Sequence, residues 1–223
     1  MNQQKPWSHG RLIPSKKDCI IEHTDGTPFF WLGDTGWLLF SRLTREEAAA
    51  YLDDRKSGNF NVIQVMMVHS LPATNLYGST FNSFHDINWQ RGPSSGNPDD
   101  YWNVIDEMVT LAEERGLYMA MVPNWGSLVK EGCHTPDSAY QYGAWLGRHF
   151  RNRPNVIWLN GGDIRGDVQP EVWHALARGI KEYDDQHLMT FHPFGRCQSS
   201  TWFHSVGYGP QPNMWKSRIL LDT

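Results

Sequence analysis

The sequence is poor in cysteine and has no long apolar run, and both absences narrow what the chain can be. Its three cysteines are far apart and predict neither a disulfide framework nor a Cys-x-x-Cys metal site: Cys19, Cys133 and Cys197. No stretch approaches the roughly 20 apolar residues of a membrane span. The N-terminus also lacks the apolar core of a signal peptide. These absences favour a cytoplasmic protein without a membrane partner, and they leave secretion open if a leader was trimmed.

The sequence also lacks a strong excess of either charge. Its formal net charge is -4, so we expect no nucleic-acid partner. No low-complexity stretch, repeat or long charge run divides the 223 residues, which predicts one domain over 1–223. Aromatic side chains are abundant instead, with 11 Trp, 10 Phe and 8 Tyr. Flat apolar rings stack on sugar faces, so this enrichment indicates a carbohydrate partner.

Short apolar runs alternate with amphipathic segments along the chain. Five of these runs predict buried parallel strands: 29–34, 62–68, 117–124, 156–159 and 187–192. The intervening segments predict four helices: from Thr44 to about Lys56, over 100–115, over 138–151, and from Pro170 onwards. This order implies parallel strands joined by right-handed crossovers.

Two architectures fit that order, an open doubly wound sheet and a (β/α)8 barrel of the TIM type. The open sheet usually has a glycine-rich turn after its first strand, and the sequence GDTGW at 33–37 is no such turn. Polar residues instead mark the ends of all five strands, as in a barrel active site: Asp34, His69, Asn124, Asp163 and His192. We therefore expect an α/β fold of the (β/α)8 type.

The length suggests that this barrel is interrupted. A complete barrel of this type takes roughly 250 residues, and only 31 residues follow His192 (223 minus 192). We expect a single incomplete domain that stops after about five to six βα units. Its open edges could support self-association. One segment of about 30 residues, from His69 to Pro98, lacks periodicity but carries Tyr77, Phe81, Phe84 and Trp89; we interpret it as a wall over the barrel mouth.

The run from Asn155 to Asp163 is the most informative segment. A buried strand ends there in Asn160, two glycines and a carboxylate. Reacting groups of parallel α/β proteins gather at the carboxyl ends of strands, so Asp163 is a candidate reacting group. A cap on the following helix is the alternative reading of this carboxylate.

Six motifs give the chain a family resemblance. They are DGTPFFWLGDTGW (25–37), NVIQ (61–64), VPNWG (122–126), NGGD (160–163), FHP (191–193) and SSTWFH (199–204). In this order they resemble the apiosidase-like glycoside hydrolases, over about residues 8–208. The resemblance implies a (β/α)8 barrel that cleaves glycosidic bonds of plant-type polysaccharide by a retaining mechanism, with apiose-containing pectin as the founding substrate.

The resemblance also implies roles for individual residues. Asp163 matches the family's general acid/base, and the nucleophile, a Glu near the end of a late strand, is expected beyond residue 223. This chain alone should then be inactive. No cofactor and no metal are expected. We expect sugar to be bound by Asp34, Trp37, Gln64, His69, Asn124, Trp125, Asn160, His192, Trp202 and His204.

Two other functions stay open. After His204 the sequence departs from the family pattern, so residues 205–223 are either a divergent sixth strand or a rearranged tail. The missing strands would fit a truncated or degenerate barrel that binds carbohydrate without cleaving it, or that assembles with another chain. A metal-dependent hydrolase would use some of the ten histidines as ligands. However, the sequence has no His-x-His at the end of strand one and no His-Glu-x-x-His helix.

Overall fold

The computed structural model describes residues 4–15, 20–86 and 96–197. The strands, in chain order, are β1 (Leu12–Pro14), β2 (Ile21–His23), β3 (Pro28–Phe29), β4 (Gly33–Thr35), β5 (Val62–Met66), β6 (Ala73–Thr74), β7 (Thr80–Phe81), β8 (Tyr118–Val122), β9 (Val156–Ile164) and β10 (Met189–Pro193). The helices are α1 (Leu39–Arg42), α2 (Arg45–Ser57), α3 (Tyr101–Glu114), α4 (Gly126–Lys130), α5 (Pro136–Phe150) and α6 (Pro170–Tyr183), after a 3-10 turn at Pro6–His9.

The central sheet has five parallel strands in the order β4-β5-β8-β9-β10. Each strand therefore pairs with the next parallel strand along the chain. A doubly wound sheet reverses its order at a switch point, and the described sheet contains no reversal. Strands that follow one another around a sheet, with helices between them, form the (β/α)8-barrel type of fold. The predicted fold class is confirmed, and the doubly wound alternative is wrong.

The four predicted helices are present, and their ends follow the local signals in the sequence. Helix α2 begins with a capping box in which Thr44 and Glu47 exchange hydrogen bonds. Asp100 caps α3, accepting a hydrogen bond from the backbone of Trp102. Pro170 occupies the first turn of α6, where its missing N–H costs nothing. The short helices α1 and α4 were not predicted, because four or five residues carry too little periodicity.

The first predicted strand, over 29–34, is wrong in its extent. The chain there forms two strands in different sheets. Phe29 ends β3, which pairs antiparallel with β2 in a three-stranded sheet, and the parallel strand β4 begins only at Gly33. The ring of Phe29 packs edge-on against Tyr118 at the start of β8, with centroids 5.4 Å apart. The small sheet thus covers the amino-terminal end of the barrel strands, and an apolar run alone does not distinguish that role from a barrel strand.

Side chains of the parallel strands alternate between two apolar cores. Ile63 and Val65 of β5 belong to the core beneath the helices. Val62 belongs to the inner core, where it meets Tyr118 and Ala120 of β8. Because successive side chains of a strand point to opposite faces, this alternation defines which residues face the barrel interior.

The segment between β5 and α3 packs against the helices. Phe84 stacks on His134 with centroids 3.7 Å apart, and Phe81 packs edge-on against Trp102 of α3 at 5.5 Å. The guanidinium of Arg45 lies 4.2 Å from the ring centroid of Tyr77. These contacts account for Tyr77, Phe81 and Phe84, the aromatic side chains of the segment that the structure describes. Its role as a wall over the barrel mouth stays a prediction, and Trp89 lies outside the described residues.

Over the described ranges, no helix combines the length and the apolar character that crossing a bilayer requires.

Candidate active site

Three aromatic side chains converge at the carboxyl ends of the parallel strands. Trp37 follows β4, Trp125 follows β8, and His192 lies near the end of β10. The indoles of Trp37 and Trp125 meet edge-on with ring centroids 5.4 Å apart. The imidazole of His192 lies 5.3 Å from Trp37 and 5.9 Å from Trp125. We call these three residues the mouth cluster; all three were predicted sugar-binding residues, and the fold brings them together.

A bulge in β9 presents Asp163 beside this cluster. Gly161 pairs with His192 of β10, but the next pair joins Ile164 to Pro193, so Gly162 and Asp163 have no partner on β10. The backbone φ angles of Gly161, Gly162 and Asp163 are all positive, at 98°, 113° and 48°. Glycine adopts such angles freely, and Asp is one of the few other residues that tolerates the left-handed region. Bulges of this kind often occur next to active sites, where they redirect a side chain.

The glycines around the bulge are required by close backbone contacts. A Cβ on Gly126 would stand 2.2 Å from the carbonyl oxygen of Gly162. A Cβ on Gly161 would stand 2.4 Å from the carbonyl oxygen of His192. Both distances are shorter than any real carbon–oxygen contact, so the start of α4 and the end of β10 can approach β9 only with glycine at these positions. The sequence motif VPNWG contained the signal for Gly126, which was not recognised as part of the site.

The carboxylate of Asp163 projects into solvent next to His192. Its side chain is 57% exposed, so it can reach a bound molecule without rearrangement. The Oδ1 atom lies 3.7 Å from Nδ1 of His192, and the backbone N–H of Asp163 points at the same nitrogen over a long 3.5 Å. Asp163 is therefore an exposed carboxylate beside the imidazole of the mouth cluster.

Asp34 does not join the cluster, although the sequence predicted it as a sugar ligand. Its Oδ2 accepts hydrogen bonds from Tyr51 and Arg55 of α2, each at 2.9 Å. Its Oδ1 accepts the backbone N–H of Thr35 at 2.8 Å. Burial raises the pKa of Asp34, but the bonds from Tyr51, Thr35 and Arg55 outweigh burial and hold that pKa below its usual value. The carboxylate fastens β4 to α2, so we drop Asp34 from the sugar-binding set.

Asn160 is also turned toward the helical layer. Its amide nitrogen donates to the backbone carbonyl of Trp173 in α6 at 3.2 Å, and its oxygen accepts the N–H of Gly161 at 3.2 Å. Both polar atoms are used within the protein, and the residue is buried. The predicted role of Asn160 in binding sugar is therefore replaced by a structural one, which supports the glycines that follow.

The remaining predicted residues occupy different positions. Gln64 of β5 shares the strand face of Val62 and so points into the barrel interior. Asn124 is fully buried, and both atoms of its amide lack a hydrogen-bond partner. His69 follows β5, and its Nε2 lies 3.1 Å from the Ser70 hydroxyl. Burial, followed by the charge of Arg42, lowers the pKa of His69. Trp202 and His204 lie outside the described residues.

The described parts of the chain contain no group of three or more His, Cys, Asp or Glu side chains arranged to hold a metal ion. The arrangement at the mouth is a single exposed carboxylate with aromatic neighbours. Chemically, it can exchange a proton with a bound molecule and offer flat apolar faces to it.

Comparisons with known proteins agree with this arrangement. A family model described as the apiosidase-like catalytic domain matches residues 15–211. A solved structure described as a glycoside hydrolase is 43% identical, with a TM-score of 0.85 over 92% of this chain and 46% of that chain. A glycoside hydrolase family 5 protein from Bacteroides vulgatus ATCC 8482 is 40% identical, with a TM-score of 0.85 over 93% of this chain and 45% of that chain.

A more distant likeness concerns the fold alone. The catalytic domain of an endoglucanase from Thermobifida fusca, solved in complex with cellotetraose, is 14% identical, with a TM-score of 0.54 over 93% of this chain and 61% of that chain. A comparison with curated protein sequences gave no match. The chain spans just under half the length of the two more similar structures. Because the family model matches most of its residues, the chain belongs to the apiosidase-like catalytic domain family of glycoside hydrolases.

Proposed function

We propose that the mouth cluster and Asp163 form the acid/base half of a retaining glycoside hydrolase site. The observation that carries this proposal is the bulge in β9, which places one exposed carboxylate 3.7 Å from His192 of the mouth cluster. A retaining glycosidase needs an acid to protonate the departing glycosidic oxygen, and the same group later takes a proton from the attacking water. An exposed Asp at the end of a barrel strand can do both.

The mechanism requires a second carboxylate. In retaining enzymes the nucleophile lies about 5 Å from the acid/base and forms a covalent glycosyl intermediate. Among the described strand ends the other carboxylate is Asp34, which is held by Tyr51 and Arg55 of α2. We therefore place the nucleophile, a Glu by family resemblance, outside the described residues.

The substrate we propose is a plant-type oligosaccharide or polysaccharide. Trp37 and Trp125 are both partly exposed, so each can offer a ring face to a sugar. The imidazole of His192 lies against both indoles and toward Asp163. Support for a carbohydrate partner also comes from the endoglucanase with the same type of fold, whose structure holds cellotetraose. No cofactor takes part in the proposed reaction.

A second candidate function is carbohydrate binding without cleavage by this chain. A retaining mechanism needs two carboxylates, and the described strand ends offer only Asp163, because Asp34 is held by Tyr51 and Arg55. This observation favours the second candidate. Calorimetric titration of the chain with pectin-derived oligosaccharides measures binding directly. Saturable binding without any release of reducing ends would favour this second candidate. Self-association through the outer edges of β4 and β10 also stays a prediction, which sedimentation of the chain would test.

Turnover by a form of the protein that carries the remaining barrel strands tests the proposed function. We expect Asp163→Asn to lower kcat by at least about 1000-fold, because a carboxamide cannot donate the proton. The matched control is Asp167→Asn, which removes an exposed carboxylate four residues away. That carboxylate pairs with Arg165 at 2.9 Å.

The two variants separate a chemical loss from a general disturbance of this loop. We expect Asp167→Asn to keep nearly all activity. Equal turnover by the Asp163→Asn variant and the unmodified protein would end the assignment of Asp163, and equal losses in the two variants would do the same.

A further inference from the structure

His192 is held in a single orientation by its neighbours at the mouth. Its ring meets Trp37 nearly perpendicularly, at an interplanar angle of 84°, and lies tilted by 48° against Trp125. The backbone of β10 is fixed at this residue by its pairing with Gly161. With the backbone paired and two indoles against the ring, His192 has little freedom to change rotamer.

The ring nitrogen Nδ1 faces Asp163 in two ways. It lies 3.5 Å from the backbone nitrogen of Asp163 and 3.7 Å from its Oδ1. A backbone N–H can only donate, so the contact requires Nδ1 to be the acceptor and places the ring proton on Nε2. Once the imidazole is protonated, Nδ1 becomes a donor and can no longer accept this N–H. Its favourable partner is then the carboxylate oxygen.

The backbone of Asp163 needs such support. Its φ angle of 48° lies in the left-handed region, which costs a non-glycine residue roughly 1–2 kcal/mol. Its N–H has no backbone partner on β10, because the register skips this residue. The imidazole is thus the group that the N–H of the bulge meets.

We propose that His192 is the positioning residue for Asp163, acting as a neutral imidazole whose Nδ1 accepts the Asp163 backbone N–H. This inference rests on the proposed function and deepens it. The described side chains that contact the ring are Asp163 from β9, which is ionisable, and the indoles of Trp37 and Trp125, which carry no charge. When His192 is protonated, its Nδ1 therefore donates to the Asp163 carboxylate and no longer accepts the backbone N–H. The carboxylate is then held as an anion, which cannot serve as the acid.

Nuclear magnetic resonance of the chain as it exists tests the contact without any turnover. In a 15N-labelled sample, the Asp163 amide resonance should follow the titration of the His192 ring resonances. In His192→Asn, where Oδ1 replaces Nδ1 as acceptor, that amide should stay near its high-pH position over the pH range in which the His192 ring of the unmodified protein gains its proton. In His192→Ala it should move away from that position. A matched control is His9→Asn, since His9 at the end of the 3-10 turn pairs with Asp25, between β2 and β3, at 2.8 Å.

Two outcomes overturn the inference. One is an Asp163 amide that ignores the protonation of His192, and the other is an identical amide position in the Asn and Ala variants. Both readouts come from folded protein, because the remaining amide resonances report whether each variant keeps its fold.

Kinetics of the form with the remaining strands supply a second readout. We expect His192→Ala to lower kcat by up to about 100-fold with KM little changed, since misplacing a reacting group slows chemistry. His192→Asn should restore most of that loss. A purely structural role would give equal losses in both variants, and a sugar-binding role would raise KM instead. An active Asp163→Asn variant overturns the proposed function, whereas absent amide coupling overturns this inference alone.

Discussion

The indole of Trp125 packs directly on the backbone of Gly162. A Cβ at residue 162 would stand 2.7 Å from Cε3 of that indole and 3.0 Å from the backbone nitrogen of Gly126. Because Gly162 immediately precedes Asp163, this contact fixes the distance between a flat aromatic face and the proposed acid/base. The glycine is therefore part of how the site is built.

Substitution of this glycine should damage the site and the fold together. We expect Gly162→Ala to lower the free energy of unfolding by about 2–4 kcal/mol, the sum of left-handed strain and a forced core shift. The matched control is Gly132→Ala, whose φ is +78° but whose Cβ would meet nothing within 4 Å. That control should lose only about 1 kcal/mol. Urea denaturation measures both, and equal losses would contradict the role of the indole contact.

The two indoles of the mouth cluster should carry sugar affinity. We expect Trp37→Ala and Trp125→Ala each to weaken oligosaccharide binding about 5- to 30-fold, as loss of 1–2 kcal/mol of contact would do. Phe30→Ala is a control, because this exposed aromatic side chain lies between β3 and β4, before the barrel strand begins. Isothermal titration calorimetry of the three variants is the measurement. Unchanged affinity in both mouth variants would show that sugar does not bind there.

A buried ionic cluster joins β9 to the start of β10. Asp184 is fully buried, and its Oδ2 accepts hydrogen bonds from the indole of Trp158 at 2.7 Å and from Nδ1 of His187 at 2.6 Å. The other ring nitrogen of His187 meets the carbonyl of Arg153 at 2.6 Å. Burial raises the pKa of Asp184, but the bond and charge of His187, with Trp158, outweigh burial and hold that pKa below its usual value.

Because of this cluster, the free energy of unfolding should depend on pH. A carboxyl group whose pKa is lowered in the folded state stabilises the fold at pH values above its unfolded-state pKa of about 3.9. That stabilisation is lost as the pH falls through the folded-state pKa. We expect Asp184→Asn to cost about 3 kcal/mol near neutral pH, because it leaves His187 without its anionic partner. The difference from the unmodified protein should shrink as the pH falls below about 4. Denaturation curves over this range measure it.

The neighbouring residue provides the control for that experiment. Asp185 is exposed, and its carboxylate accepts a hydrogen bond from the side chain of Gln186 at 2.5 Å. Asp185→Asn should change stability by less than about 0.5 kcal/mol. A pH-independent difference between Asp184→Asn and the unmodified protein would contradict the assigned charge.

The two buried amides of Asn124 and Asn155 should respond oppositely to the same substitution. Both atoms of the Asn124 amide lack partners, so replacing it by Leu, of similar shape, should leave stability unchanged or raise it by about 1 kcal/mol. Asn155 donates to the carbonyls of Val109 and Leu117 at 3.0 and 3.2 Å. Asn155→Leu should therefore lower stability by about 2 kcal/mol. Thermal unfolding compares the two, and a loss at residue 124 as large as that at 155 would contradict the prediction.

Much of the fold could be predicted from local signals. The cap of Thr44 and the proline at 170 mark helix starts directly, because those residue types satisfy or remove orphan N–H groups there. The first strand was misplaced because the run at 29–34 contains parts of two short strands that lie in different sheets, β3 paired with β2 and β4 paired with β5. Apolar character indicates burial, and it does not specify the sheet in which a strand lies.

Only part of the site could be predicted, again because the sequence pattern does not specify the direction of each side chain. A strand end gives the place of a polar residue, but a shift of one position turns its side chain from the mouth to the helices. Asp34 and Asn160 both point to the helical layer for this reason, at 2.9 Å from Arg55 and 3.2 Å from the Trp173 carbonyl. The bulge that redirects Asp163 depends on three consecutive positive φ angles. The two glycines in the sequence indicated an unusual backbone conformation. The direction in which it turns the Asp163 side chain could be read only from the structure.

The most direct test of the account is the leaving-group dependence of Asp163→Ala, measured in the form with the remaining strands. An acid is needed to expel an alcohol, and it is hardly needed to expel an activated aryl group. We predict that glycosylation of the enzyme by an activated aryl glycoside stays near its unmodified rate, while cleavage of an oligosaccharide falls at least about 1000-fold. Equal loss for both substrates, or loss for neither, would contradict the claim that Asp163 supplies the proton.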